Sequence, residues 1–301
     1  MDKQLGFIII GAQKSGTTSL HKYLSCHPQI WMPSEKEAPF FSQDELYNKG
    51  WDRYSAEYFY DAPHDKIWGK ATPHYMIDMR VPGRIAKLMP EVKLIVLLRH
   101  PLKRALSHYK MLVRLGVEHR TFEIAIKESL RESSLKIART LSSLPENEER
   151  LIVTNGEYGR IMEEYLKYFD KEQLLILFTD DLKDNPKLIL EKVYFFLCIS
   201  TDYLSPNIGK IYHMGGVRMR FPQIENLRQV AYIRATWHIL PERFRRNLMY
   251  WFNQWRAIPD KENESSYISY ETTQLLKTHY KKDIELFESL FGLKTPWVDI
   301  K

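Results

Sequence analysis

Phe7-Ile8-Ile9-Ile10-Gly11-Ala12-Gln13-Lys14-Ser15-Gly16-Thr17-Thr18-Ser19-Leu20 decides how this chain folds. An apolar, β-branched run predicts a strand over residues 6–10, stopped by Gly11. A helix pattern follows, with Leu20, Tyr23 and Leu24 spaced i, i+3, i+4 and an end before Pro28. A glycine-bounded loop between strand and helix offers backbone N–H groups and a helix N-terminus to an anion, the physics of a phosphate cradle. The glycine spacing matches a P-loop, but Thr17 replaces the lysine that follows the second glycine. The lysine lies inside the loop instead, as Lys14. A glycine-rich turn without a ligand is the plain alternative, and the strand–helix setting disfavours it.

Working outward, strands are predicted at 67–70, 92–98 and 174–178, with helices at 81–88, from Pro101 onward, at 157–169, and from Pro186 to Leu197. Residues 31–65 read as an irregular excursion with short helices. Residues 121–145 turn from helical to polar, with Ser142, Ser143 and Pro145 marking a surface loop. Strands alternating with helices imply a P-loop-like, doubly wound α/β fold, a mostly parallel sheet flanked by helices on both faces. No linker divides the chain, so one domain is expected over 1–301, with a helical acceptor-covering region at 209–260 within it.

The 301 residues are 44% hydrophobic and 27% charged, a globular composition that excludes a disordered or fibrous chain. The net charge of +6 suits an anionic ligand but does not by itself argue for nucleic acid. Cys26 and Cys198 lie far apart without metal-like spacing, so neither a disulfide scaffold nor a zinc site is expected. Neither a membrane-spanning run nor a signal peptide is legible, and a cytoplasmic protein is expected.

A nucleotide triphosphatase would end a second strand in an Asp that holds Mg²⁺. Here the strong strand ends in Arg99. A cation in that place argues for direct binding of phosphate, because the planar guanidinium makes paired, charge-assisted bonds. Ser107 follows two helical turns later. Together with the loop, these residues suggest a nucleotide phosphorylated at both ends and bound without metal.

At this point the chain resembles the sulfotransferases that use 3′-phosphoadenosine-5′-phosphosulfate (PAPS). Gln13 to Leu20 resembles their 5′-phosphosulfate loop, and Leu98-Arg99-His100-Pro101 through Ser107-His108-Tyr109 resembles their 3′-phosphate motif. Lys36-Glu37-Ala38-Pro39-Phe40-Phe41, Gly69-Lys70-Ala71-Thr72-Pro73 and Gly156-Glu157-Tyr158 extend the likeness toward the bacterial and heparan-sulfate branch. The resemblance implies a PAPS cosubstrate bound by Lys14, Ser15, Gly16, Thr17, Thr18, Ser19, Arg99 and Ser107, with no metal. It implies that Lys14 meets the leaving phosphate and that Lys70 is a second active-site lysine. Gly216 and Arg218, in a late glycine-and-basic loop, would meet the 3′-phosphate, although His213 and Met214 stand where bacterial relatives carry Asn and Ser. The acceptor would be a glycan or a small molecule offering a hydroxyl or an amine.

Glu37 is the candidate general base, since its apolar neighbours would raise its pKa toward the useful range. Pro39 replaces a histidine that some relatives carry. His74 and His108 are the competing bases, His74 the better placed. Asp180 and Asp181 are read as helix-capping residues rather than metal ligands. Residues 209–256 hold nine Lys or Arg against two acids, interleaved with aromatics. That pattern fits an amphipathic helical pair packed on the domain, or a lid for an anionic acceptor. A P-loop kinase or hydrolase would share the fold but need metal, and a nucleic-acid-binding module would leave the phosphate loop unexplained.

Overall fold

The computed structural model describes residues 4–37, 39–142, 145–210, 212, 217–219, 257–259 and 268–300. Five parallel strands form the central sheet: β1 (Phe7–Gly11), β2 (Ile30–Trp31), β3 (Ile67–Ala71), β4 (Lys93–Leu98) and β5 (Leu174–Phe178), in the order β2-β3-β1-β4-β5. Four of these are the strands expected from the sequence, each within a residue or so of its predicted ends. The fifth, β2, is two residues long and too short to show any periodicity.

Strand side chains alternate between two cores. Ile8, Ile10, Leu94, Val96 and Leu98 face one layer, and Phe7, Ile9, Ile95, Leu97 and Leu177 face the other. Both sets are buried, as a parallel sheet covered on both faces requires. In chain order the helices are α1 (Thr17–Leu24), α2 (Asp44–Asn48), α3 (Trp51–Tyr58), α4 (Val81–Leu88), α5 (Pro101–Arg114), α6 (Phe122–Ser129), α7 (Glu132–Ala138), α8 (Tyr158–Tyr165), α9 (Thr179–Asp184), α10 (Pro186–Leu197) and α11 (Tyr270–Phe291). Leu20 and Leu24 of α1 and Ile189 and Val193 of α10 cover the second face. Helices α4, α5, α8 and α11 cover the first.

The C-terminal helix is held against α8 by specific bonds as well as by packing. The Asp283 carboxylate accepts from the backbone N–H groups of Gly159 and Arg160, both at 2.9 Å, at the N-terminus of α8. Burial pushes Asp283 up to about 6 against those bonds. The expected helical region at 209–260 lies mostly outside the described residues. Its described parts include two extended segments, β6 (Val217–Met219) and β7 (Ala257–Pro259), paired antiparallel.

Close packing fixes the sheet near the loop. Gly69 pairs with Phe7 across β3 and β1, and a Cβ at Gly69 would enter the Phe7 ring. Gly69→Ala is expected to lower stability by about 1–3 kcal/mol, the usual cost of overpacking a filled core. Urea unfolding measures it, and a midpoint equal to that of the unmodified protein would show that Phe7 can move aside.

The fold places a crevice where the strand order reverses. From β1 the chain runs out to the edge strand β2, returns to β3 beside β1, then crosses to β4 and β5 on the other side. The carboxyl ends of β1 and β4 therefore flank a topological switch point, where open α/β sheets bind ligands.

Candidate active site

The loop after β1 is shaped by two residues in the left-handed region. Lys14 has φ 70° and Gly16 has φ 95°. Gly16 adopts this conformation without steric cost, while Lys14 is a non-glycine residue held there by its surroundings. The Thr179 hydroxyl lies 2.6 Å from the Ser15 carbonyl oxygen and 2.9 Å from that of Leu98. One side chain at the end of β5 thus ties the loop to the end of β4. Arg99, just past β4, donates to the Lys14 carbonyl at 3.1 Å. The Tyr158 phenol donates to the Arg99 carbonyl at 2.8 Å and fixes its backbone.

These elements enclose a cleft of about 600 Å³. Lys14, Gly16, Thr17, Thr18 and Ser19 line it from the loop, and Arg99 and Ser107 line it from β4 and α5. Glu37 and His74 also line it, from segments far apart in the sequence. Ser15 does not: it is buried beneath the loop. Gly216 lies outside the described residues, and of Arg218 only the backbone, within β6, is described.

The cleft is crowded with positive charge. Burial, then repulsion from Arg114 and Arg99, lowers the Lys14 ammonium to about 8, against the opposing attraction of Glu148, and Arg104 adds to the lowering. Arg99 is likewise lowered, chiefly by burial. An anion entering here meets cations already stripped of much of their water. Lys183 and Leu182 of α9 also line the cleft. Asp180 and Asp181 fall in the first turn of α9, where they favour the helix dipole, rather than at its cap as expected.

Glu37 is presented between two anchors. Upstream, the Lys70 ammonium donates to the Glu35 carbonyl at 2.9 Å and lies 5.3 Å over the Tyr58 ring. Downstream, Phe40 and Phe41 are buried edge to face. Lys70, expected as a second active-site lysine, is itself buried and does not line the cleft; its amine supports the backbone at Glu35 beside it.

The sequence-based expectation for the Glu37 pKa is corrected. Burial does oppose its charge, but the Lys36 ammonium at 2.6 Å and the His74 imidazole at 3.6 Å prevail, and the carboxyl is held below the ordinary carboxylate range. His74 sits in a 3-10 turn (Pro73–Ile77) that follows β3, with the Tyr75 carbonyl pinned by the Tyr165 hydroxyl at 2.7 Å. Burial works to discharge its imidazole, yet contact with Glu148 and attraction to Glu37 raise its pKa.

Glu148 was not legible as a site residue. Its carboxylate lies 3.2 Å from His74 Nδ1 and 2.7 Å from His108 Nε2, and Gln13 Nε2 of the loop donates to it at 3.2 Å. Two histidines hold it far below the ordinary carboxylate range despite burial. His108 is fully buried, does not line the cleft, and is lowered by burial to about 4. An enclosed neutral imidazole cannot reach an acceptor in the cleft, so His108 drops out as a competing base. Among the described residues, no three His, Cys, Asp or Glu converge as metal ligands.

The sulfotransferase domain family matches residues 6–213, more than half of the chain. The chain belongs to that family. Human heparan sulfate glucosamine 3-O-sulfotransferase 5 is 32% identical over 190 residues, covering 63% of this chain and 52% of the relative. Human bifunctional heparan sulfate N-deacetylase/N-sulfotransferase 3 is 32% identical over 213 residues, covering 67% of this chain and 23% of the relative. The chain thus spans about half the length of the first relative and under a quarter of the second. A crystal structure of a sulfotransferase from Alicyclobacillus acidocaldarius superimposes with a TM-score of 0.66 at 22% identity, covering 97% of this chain and 98% of that one. The P-loop-like parallel sheet implied by the sequence is the fold the chain shares with that structure. No helix among the chain's described residues is long and apolar enough to cross a membrane.

Proposed function

We propose that the cleft transfers the sulfuryl group of PAPS to a hydroxyl or amine of a glycan or small-molecule acceptor. The observation that carries this reading is the convergence on one cleft of the Lys14 loop, Arg99, Ser107, Glu37 and His74. The loop and Lys14 take the 5′-phosphosulfate, and Arg99 and Ser107 take the 3′-phosphate, with Gly216 and Arg218 assigned to the same phosphate from the family motif alone. Lys70 secures the segment that presents Glu37.

In the transfer, the acceptor oxygen or nitrogen attacks sulfur in line with the departing 5′-phosphate oxygen. The new bond to sulfur forms as the bond to that oxygen breaks. The acceptor proton passes to Glu37, and the charge left on adenosine 3′,5′-bisphosphate is met by Lys14 and the loop N–H groups. The two heparan-sulfate relatives are named for O- and N-sulfation respectively, and a glycan bearing either group suits this proposal. The free thiols Cys26 and Cys198 fit a reducing, cytoplasmic setting.

Arg99→Ala tests the donor assignment. It is expected to weaken adenosine 3′,5′-bisphosphate binding by about 1.5–3 kcal/mol, the worth of a hydrogen bond to a charged group, and to weaken adenosine 5′-phosphate far less. Calorimetric titration in EDTA measures both. Equal losses would show that Arg99 does not read the 3′-phosphate, and a strict Mg²⁺ requirement would favour a kinase-like reading.

A further inference from the structure

We propose that Glu148 is a positioning residue for the transfer: its carboxylate holds the Nδ1 side of His74, leaving Nε2 aimed at Glu37 in the cleft. The inference rests on the reading of the cleft as the site of sulfuryl transfer.

The geometry forms a continuous chain of side chains from the core to the cleft. An Arg104 guanidinium N–H lies 3.3 Å from His108 Nδ1, which makes Nδ1 the acceptor of the neutral ring. His108 must then carry its proton on Nε2 and donate it to Glu148 Oε2 at 2.7 Å. The other oxygen, Oε1, lies 3.2 Å from His74 Nδ1 as an ion-pair contact without hydrogen-bond alignment, and His74 Nε2 lies 3.6 Å from Glu37 Oε2, also at ion-pair distance. Arg104 and His108 are fully buried, and Glu148 is nearly so. The core end of the chain is therefore rigid, and the cleft end inherits its orientation.

The charges around this chain divide by sign. Glu37 and Glu148 favour the imidazolium form of His74, while Lys36 opposes it. On the other side, Glu148 faces His108 and Gln13 and is felt by Lys14. With Glu148 held ionised by its two histidines, His74, whose pKa is raised by Glu148 and Glu37, is the member of the chain whose charge changes with pH. While His74 is charged, it holds down the basicity of Glu37. As pH rises and His74 discharges, Glu37 becomes the stronger base and the rate climbs.

Glu148→Gln keeps the shape and removes the charge. Its expected effects are a 10- to 100-fold fall in kcat, adenosine bisphosphate affinity within threefold of the unmodified protein, and a rising limb of the pH–rate profile moved to lower pH. His74→Asn should abolish that limb, and adding Glu148→Gln to it should cost nothing further. A merely structural role would lower activity without moving the limb. An unmoved limb, or losses that multiply in the double variant, would overturn the proposal. Should Glu148→Gln fail to fold, titration of the His74 ring by NMR in the unmodified protein decides the matter. A midpoint above the ordinary 6.5 supports it and one below overturns it. That titration needs no turnover. If adenosine bisphosphate fails to bind the unmodified protein, it is the reading of the cleft that fails, not the placement of Glu148.

Discussion

Glu37→Gln is expected to lower turnover by about 10²–10⁴-fold, the usual worth of a positioned acid–base group. The amide is nearly isosteric, and Phe40, Phe41 and the Lys70 bond to Glu35 hold its segment independently of the carboxylate. Folding and donor affinity should therefore persist. Single-turnover transfer from labelled PAPS separates the chemical step from binding. Because Lys36 and His74 hold Glu37 below the ordinary range, its own ionisation should leave no inflection above about pH 5. Full activity in Glu37→Gln with complete loss in His74→Asn would make His74 the base.

Lys14→Met should reduce kcat by about 10²–10³-fold, the scale of removing one preorganised donor from a developing oxyanion. It should also change how binding responds to pH. In the unliganded cleft, burial beside Arg114 and Arg99 places Lys14 at about 8, so part of the population is neutral near that pH. A bound phosphate favours the ammonium and draws its pKa upward. Binding of adenosine 3′,5′-bisphosphate should therefore take up a fraction of a proton between about pH 7.5 and 9, and weaken as pH rises through that window. Calorimetry in buffers of different ionisation enthalpy measures the uptake. Uptake that survives in Lys14→Met would assign the proton to another group.

Much of this site was legible because its chemistry is local in the chain. Lys14 and Arg99 each follow a strand whose apolar run is unmistakable, so their positions at neighbouring strand ends follow from the parallel alternation. Glu37 and His74 were readable as candidates, but not as neighbours of each other. Their approach depends on the irregular excursion folding back over β3, which no period announces. The direction of the Glu37 shift turns on the adjacent Lys36, which apolar neighbours in the sequence, Pro39, Phe40 and Phe41, do not announce. The resemblance makes Lys70 a second active-site lysine, yet its strand is buried on both faces, so strand position alone could not say where its amine goes.

Glu148 was hidden by its company. Glu146-Asn147-Glu148-Glu149-Arg150 has the composition of a solvated loop, and nothing in it marks one carboxylate from the next. The usable signal lies just beyond, where Leu151, Ile152 and Val153 are all buried. An apolar triplet that must dock on the core pulls the preceding turn, Pro145–Arg150, against the protein, so one of its acids has to face inward.

The crowding of Lys14, Arg99, Arg104 and Arg114 bears on the end of the catalytic cycle. In the proposed transfer, once the sulfated acceptor has gone, the spent nucleotide still offers phosphates to a site that is least comfortable when empty. Its departure must restore the mutual repulsion of those cations, so dissociation is expected to be the costly part of the route back to the starting state. If the proposed transfer is right, adenosine 3′,5′-bisphosphate is expected to leave slowly and to inhibit turnover as it accumulates.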